Sequence, residues 1–318
     1  MDDARDWRFK WSMNGTDNPT HRYSPSNRIM RIMRIIARII VVIALVTAGG
    51  QLMAQEVDSS GYWFANAEAT FFRYLRADGV RVGTGSDESG SFAFEAAPRF
   101  TVGRVTPSGC GLRVRYWDFE AFTGVEDVAE GDGIGVDTYT LDVELFQEAQ
   151  LTQTMTMECF FGIRHNGFTE RMLDSPGQFD QDIRSHDFNG LGAIIGAEFR
   201  WDFFWGEPFA RIRGVALQGD LFVINDDDAG GGIRAPLEHR QARDVLPTVI
   251  EIAIGYEYGH EISFGRRVFV QFAYERQIWF DYSHSLVSDL DFPFIFEQFG
   301  APSSVGFGGM VLSAGMEW

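Results

Sequence analysis

The sequence predicts an all-β fold, an antiparallel transmembrane β-barrel of about ten strands that closes on its C-terminal strand, which ends at Trp318. Three observations predict it. From Gly306 to Trp318 apolar residues take every second place: Met310, Leu312, Ala314, Met316 and Trp318 point one way, Gly309, Val311, Ser313, Gly315 and Glu317 the other. A period of two means a strand with one face in an apolar medium. The same alternation recurs upstream with ionised residues on the polar face. The links between these segments are by turns short and long, the loop asymmetry of bacterial barrels.

Residues 1–54 read as an export signal and 55–318 as the barrel. Arg28, Arg31, Arg34 and Arg38 lead into the apolar run Ile39 to Ala48, with small residues and a processing site near Ala54 behind it. That run is too short to cross a bilayer as a helix. The polar stretch before it is long for such a signal, and Met30 and Met33 are alternative starts. No later segment has the unbroken apolar length of a membrane helix.

Eight of the 27 basic and four of the 45 acidic residues lie in the signal, leaving 19 against 41 and a net charge of about −22. Such a balance excludes nucleic acid as a partner. The exported part contains no lysine, so all its Lys/Arg cations are arginine. An all-arginine set suits paired charges in a narrow space, although compositional bias gives the same result. Two cysteines, Cys110 and Cys159, make no disulfide framework, and their pairing is open.

The strands follow in series. The first, Gly61 to Leu75, sets Trp63, Ala65, Ala67, Ala69 and Phe71 against Asn66, Glu68 and Thr70. The second, Ser91 to Arg104, sets Phe92, Phe94, Ala96, Phe100 and Val102 against Glu95, Arg99 and Thr101. The third (Leu112 to Ala121) and seventh (Phe209 to Phe222) are less regular, as bulged strands are. The fourth, Asp137 to Gln147, turns Tyr139, Leu141, Val143 and Leu145 away from Asp142 and Glu144. The fifth opposes Met155, Met157, Cys159, Phe161 and Ile163 to Glu158, Gly162 and Arg164; the sixth opposes Leu191, Ala193, Ile195, Ala197, Phe199 and Trp201 to Glu198 and Arg200. The eighth opposes Leu246, Ile250, Ile252, Ile254, Tyr256 and Tyr258 to Glu251, Gly255 and Glu257. The ninth opposes Val268, Val270, Phe272 and Tyr274 to Gln271, Ala273 and Glu275. The tail is the tenth.

Alternation alone fits a soluble sandwich as well as a barrel, so the links decide. Those at Pro107–Gly111, Glu148–Thr152, Asp202–Pro208 and Gly259–Ser263 are short. Those at Arg76–Ser89, Phe122–Val136, Asn166–Ser185, Val223–Arg240 and Ser283–Val305 are long. This predicts both termini and the short turns on the periplasmic side and the long acidic loops outside. Closure is required in lipid, because an open strand edge leaves backbone groups unsatisfied. Aromatic clusters at Trp201, Phe203, Phe204 and Trp205, and at Trp279, Phe280 and Tyr282, read as interfacial girdles.

A family resemblance rests on the order of these strands. The run Phe94-Glu95-Ala96-Ala97-Pro98-Arg99-Phe100 leads to Leu112-Arg113-Val114-Arg115-Tyr116, then Leu141-Asp142-Val143-Glu144-Leu145, Phe161-Gly162-Ile163-Arg164, Phe188-Asn189-Gly190-Leu191-Gly192 and Gly196-Ala197-Glu198. It resembles the Legionella major outer membrane protein-like (porin-like) family over nearly all of the exported chain. The resemblance implies a pore-forming barrel in the bacterial outer membrane and transfers no catalytic residue. The partners expected are outer-membrane lipids, the barrel-assembly machinery through the C-terminal strand, and small solutes.

The candidate pore-lining residues are Glu68, Glu95, Arg99, Arg113, Arg115, Asp142, Glu144, Arg164, Glu198, Arg200 and Glu251. In an open pore, opposed acidic and basic rows filter solutes by charge, giving a porin-like channel for passive diffusion. The same rows can instead fill a small barrel as a salt-bridge lattice, giving a closed structural or adhesive barrel. An outer-membrane enzyme is a third reading, but the sequence carries no signature for it: His165, His186, His239, His260 and His284 are scattered, without HExxH or a Gly-x-Ser-x-Gly elbow. No cofactor is expected. Gly131 to Gly135 lacks the spacing and the lysine of a phosphate loop. The acidic stretches Glu126 to Asp132 and Asn225 to Asp228 lack calcium-loop spacing, so no metal site is assigned.

Overall fold

Trp63 and Trp318 exchange backbone hydrogen bonds, 2.8 Å from Trp63 N to Trp318 O and 2.9 Å in return. The first and last strands therefore meet. In this computed structural model the described residues are 61–76, 93–124, 133–177, 180–226, 238–262, 266–284 and 302–318. Residues 1–54, read above as an export signal, and the acidic stretch Glu126–Asp132 lie outside them, as do Asp227 and Asp228.

The strands are β1 (Tyr62–Arg76), β2 (Glu95–Val105), β3 (Cys110–Gly124), β4 (Gly133–Thr152), β5 (Met155–Gly177), β6 (Asp180–Trp201), β7 (Glu207–Asp226), β8 (Glu238–Val245), β9 (Thr248–Ile262), β10 (Arg266–His284) and β11 (Pro302–Glu317). Each pairs antiparallel with its neighbours, β1 with β11 closes the ring, and β6 with β7 completes it. β8 and β9 both pair with β7, at Gly219–Asn225 and Glu207–Ala216, so they are two halves of one stave. Proline has no N–H for the ladder, which explains the break at Pro247; its carbonyl still accepts from Leu217 N at 2.9 Å. The result is a closed ten-strand barrel.

The links at Pro107–Gly111 and Asp202–Pro208 are turns as expected, whereas Glu148–Thr152 is still strand, with its turn at Gln153 and Thr154, and Gly259–Ile262 is strand, with 263–265 outside the described residues; the turns lie at one end of the barrel with both described termini. In the β2–β3 turn, Gly109 N donates to Thr106 O at 2.9 Å and Gly109 sits at φ 78°, a backbone that a Cβ resists. The opposite side differs from expectation. Asn166 to Ser185 is largely strand: β5 and β6 pair out to Gly177 and Asp180 and reach 23 and 22 residues. A membrane crossing needs only about 9–11. Beyond the bilayer a strand pair needs no apolar face, so hydrophobic periodicity cannot reveal it. Of the two strands expected to be bulged, the seventh is irregular and the third is not. β3 keeps register throughout, β7 slips at Gly219/Leu221, and β10 slips at Trp279/Ser283.

The outward faces are the predicted apolar ones, with Leu145, Phe161, Ile163, Ile195, Ile254 and Leu312 exposed. Register separates the two cysteines: Cys110 and Cys159 each face Gln147, on opposite sides of it. Two strand spacings, about 9.5 Å, exceed disulfide reach, and both thiols are free.

Toward the long-loop end the polarity of the wall inverts. On β3 the inward residues change from Arg113 and Arg115 to Trp117 and Phe119, while the outward ones change from Leu112 and Val114 to Asp118 and Glu120. On β1, Phe72 and Tyr74 turn inward and Arg73 outward; on β10, Trp279 turns inward and Arg276 outward. The inversion marks the level at which the wall leaves hydrocarbon for water.

Candidate functional site

The lumen has three zones, and its middle is a lattice of ion pairs. Arg99 of β2 donates from Nε to Glu68 at 2.5 Å and grips Glu275 of β10 with two parallel bonds of 2.8 Å. Arg164 of β5 holds Asp142 through bonds of 2.7 and 2.8 Å and reaches Glu251 of β9 at 2.6 Å. Arg213 of β7 lies 2.9 Å from both Glu251 and Glu144. β2 and β10, β5 and β9, and β4 and β7 are not neighbours in the sheet, so these bonds cross the barrel. The planar guanidinium fork makes such bidentate, three-way contacts where an ammonium could not.

These groups are dry. Arg99, Asp142 and Glu144 are 0% exposed, and Arg164 and Arg213 are 1% exposed. A buried charge is tolerable only when paired and hydrogen-bonded; the lattice pairs every charge by sharing carboxylates between arginines, while Glu144 Oε1, Arg213 Nε and Arg115 Nη1 are left without a hydrogen bond. Aromatic faces add contacts: Arg213 lies 5.0 Å and Arg113 4.8 Å from the Phe160 ring centre.

Above the lattice, toward the long loops, inward aromatic side chains pack together as a plug-like cluster. Phe307 of β11 stands among Tyr74, Trp117, Phe119 and Trp279, with ring centres 5.1–5.5 Å away. Tyr282 packs on Phe168 at 4.6 Å and Trp279 at 4.7 Å, and its hydroxyl bonds Asn166. Trp279 and Tyr282 are thus not a girdle as their place near a strand end suggests. Trp279 continues the inward phase of Glu275 and Gln277, and the bulge after it brings Tyr282 to the same side. Phe203, Phe204 and Trp205 do project outward at a short turn.

Below the lattice, toward the short turns, lies a cavity of about 280 Å³. Arg200 and Arg267 border it, each bound to Glu257, at 2.7 and 2.6 Å, and both are partly exposed. Charge pairs there are as short as in the lattice but more exposed to solvent.

Every candidate residue faces inward, and all except Glu95 join the network. Arg113 binds Glu144 and Glu158, each at 2.6 Å; Arg115 lies 3.7 Å from Glu251; Arg200 and Glu198 pair at 2.6 Å. Glu95, at the start of β2, is half-buried and forms no ion pair among the described residues. Sequence reasoning missed Arg211 and Arg213, because the inward row of β7 reads Phe209, Arg211, Arg213, Val215, Leu217, a mixture that defeats an apolar-versus-polar test. It also left out Glu158, Glu257, Glu275 and Arg267, although the first three sit in phase on predicted polar faces.

The family model described as Legionella pneumophila major outer membrane protein precursor matches residues 134–314, from β4 into β11. The chain belongs to this family. It is a bacterial outer-membrane β-barrel protein. Among solved structures it is similar to the outer membrane protease OmpT of Escherichia coli, at 8% identity and TM-score 0.44 over 83% of this chain and 99% of that one. It is also similar to a major outer membrane protein of Thermus thermophilus, at 11% identity and TM-score 0.38 over 81% and 100%. The translocator domain of the autotransporter NalP of Neisseria meningitidis matches at 9% identity and TM-score 0.41 over 88% and 98%. No curated protein matches.

Proposed function

We propose that this member of the family is a closed outer-membrane barrel, a rigid membrane-embedded scaffold that carries the long β5–β6 arm outside. One observation carries the reading: the charged side chains that could line a pore bind each other across the bore, and an aromatic plug sits above them. Opening a water-filled path would require breaking several charge-assisted bonds at once and moving Phe307 and Trp279.

A second reading, the porin-like channel for small solutes, is favoured by the polar cavity at the short-turn end, which would serve as its vestibule. Liposome swelling separates the two. Proteoliposomes with the folded protein should swell no faster in small sugars or amino acids than empty ones. Rapid swelling graded by solute size would favour the channel.

A further inference from the structure

The lipid-facing wall carries an arginine pair that the lumen does not use. Arg73 of β1 and Arg276 of β10 both point outward and both sit opposite Gly308 of β11. Neither has an ion pair or hydrogen bond from its side chain among the described residues, and Arg73 Nε is buried without a partner. In a chain this rich in arginine–carboxylate pairs, two unpaired guanidiniums in one row stand out.

Their seat is built by glycine. Outward positions 306 and 308 are both glycine, and a Cβ at Gly308 would lie 3.1 Å from Arg276 Cδ and 3.4 Å from its Nη1. Arg276 therefore lies across β11 toward β1. Two strand spacings, about 9.5 Å, separate the two backbones, a gap that long side chains can close on one anion.

Immediately below the pair, on the same wall, is a groove of about 370 Å³ lined by Phe71, Phe94, Phe272, Met310, Val311 and Leu312. No polar side chain lines it. Arg73 lies ten residues above Trp63, which at about 3.3 Å per residue and the usual strand tilt is about 25 Å, the height of the apolar band. The pair thus stands at the outer headgroup level with an apolar slot running into the hydrocarbon. At the outer ends of β3, β4, β6 and β7 the outward side chains include Asp118, Glu120, Asp137, Asp187 and Asp220, so an anionic headgroup is favoured on the β1–β11–β10 sector.

We infer that this sector binds a phosphorylated glycolipid of the outer leaflet, with its phosphate between Arg73 and Arg276 and an acyl chain in the groove. The arginine fork suits phosphate oxygens, and each arginine at a membrane surface strengthens anionic-lipid binding appreciably. The site is separate from the lumen and is the same whether the barrel conducts or not.

The test is native mass spectrometry of the detergent-folded protein incubated with lipid A, with its phosphate-free form, or with phosphatidylglycerol. Lipid A should be retained at one copy per barrel, and R73Q/R276Q should weaken retention by about tenfold or more. R171Q, which removes another outward arginine on β5, should leave retention unchanged. Equal retention of lipid A and its phosphate-free form by the parent would overturn the inference without any variant, so failure of the double variant to fold leaves it testable. Equal retention of phosphatidylglycerol would overturn the choice of occupant.

Discussion

Arg164 and Glu251 face each other across the lumen at 2.6 Å, one on β5 and the other on β9, with β6 and β7 between them in the wall. Glu251 is held at the same time by Arg213 at 2.9 Å. A tie of this kind fixes barrel diameter from within.

Removing Arg164 should therefore be costly. Arg164→Ala strands Asp142 and half of Glu251 in a dry core and should lower stability by about 3–5 kcal/mol. Arg200→Ala, at the wet short-turn end, should cost about 1 kcal/mol or less. Urea unfolding, followed by the gel shift between folded and boiled barrels, measures both; equal losses would show that the lattice is not dry at mid-height.

The plug makes a separate claim. Phe307 is fully buried among four aromatic rings, so Phe307→Ala should cost about 3–5 kcal/mol through lost contacts and the cavity left behind. Unchanged stability, in the same unfolding assay, would mean that the rings do not pack.

Depth can be read on the outer wall. Ile254 projects from the middle of β9, and Ile254→Arg should cost about 2–4 kcal/mol, whereas Tyr258→Arg, nearer the short turns, should cost about 0–1 kcal/mol. Equal costs would place the bilayer wrongly on β9.

Both thiols should react with a thiol reagent in the folded protein, and migration should be the same with and without reductant, because Gln147 stands between Cys110 and Cys159 in the sheet. A shift on reduction would contradict the β3–β4–β5 register.

The alternation of Leu141, Val143 and Leu145 against Asp142 and Glu144 made β4 legible from sequence, since each side met a uniform medium. The same logic put the candidate charges on the inner face. It failed where the medium changes along a strand. On β10, Arg276 and Trp279 exchange the usual sides above the hydrocarbon, and a girdle reading of Trp279 follows from assuming one polarity throughout. The pairings Arg99–Glu275 and Arg213–Glu144 were not legible at all, because a contact across a barrel depends on closure and shear rather than on any spacing along the chain.

Single-channel recording of the purified, refolded protein in planar bilayers tests the closed lumen most directly. The lattice and plug predict no steady conductance in the parent. A stable, ohmic open state in the parent would contradict the account.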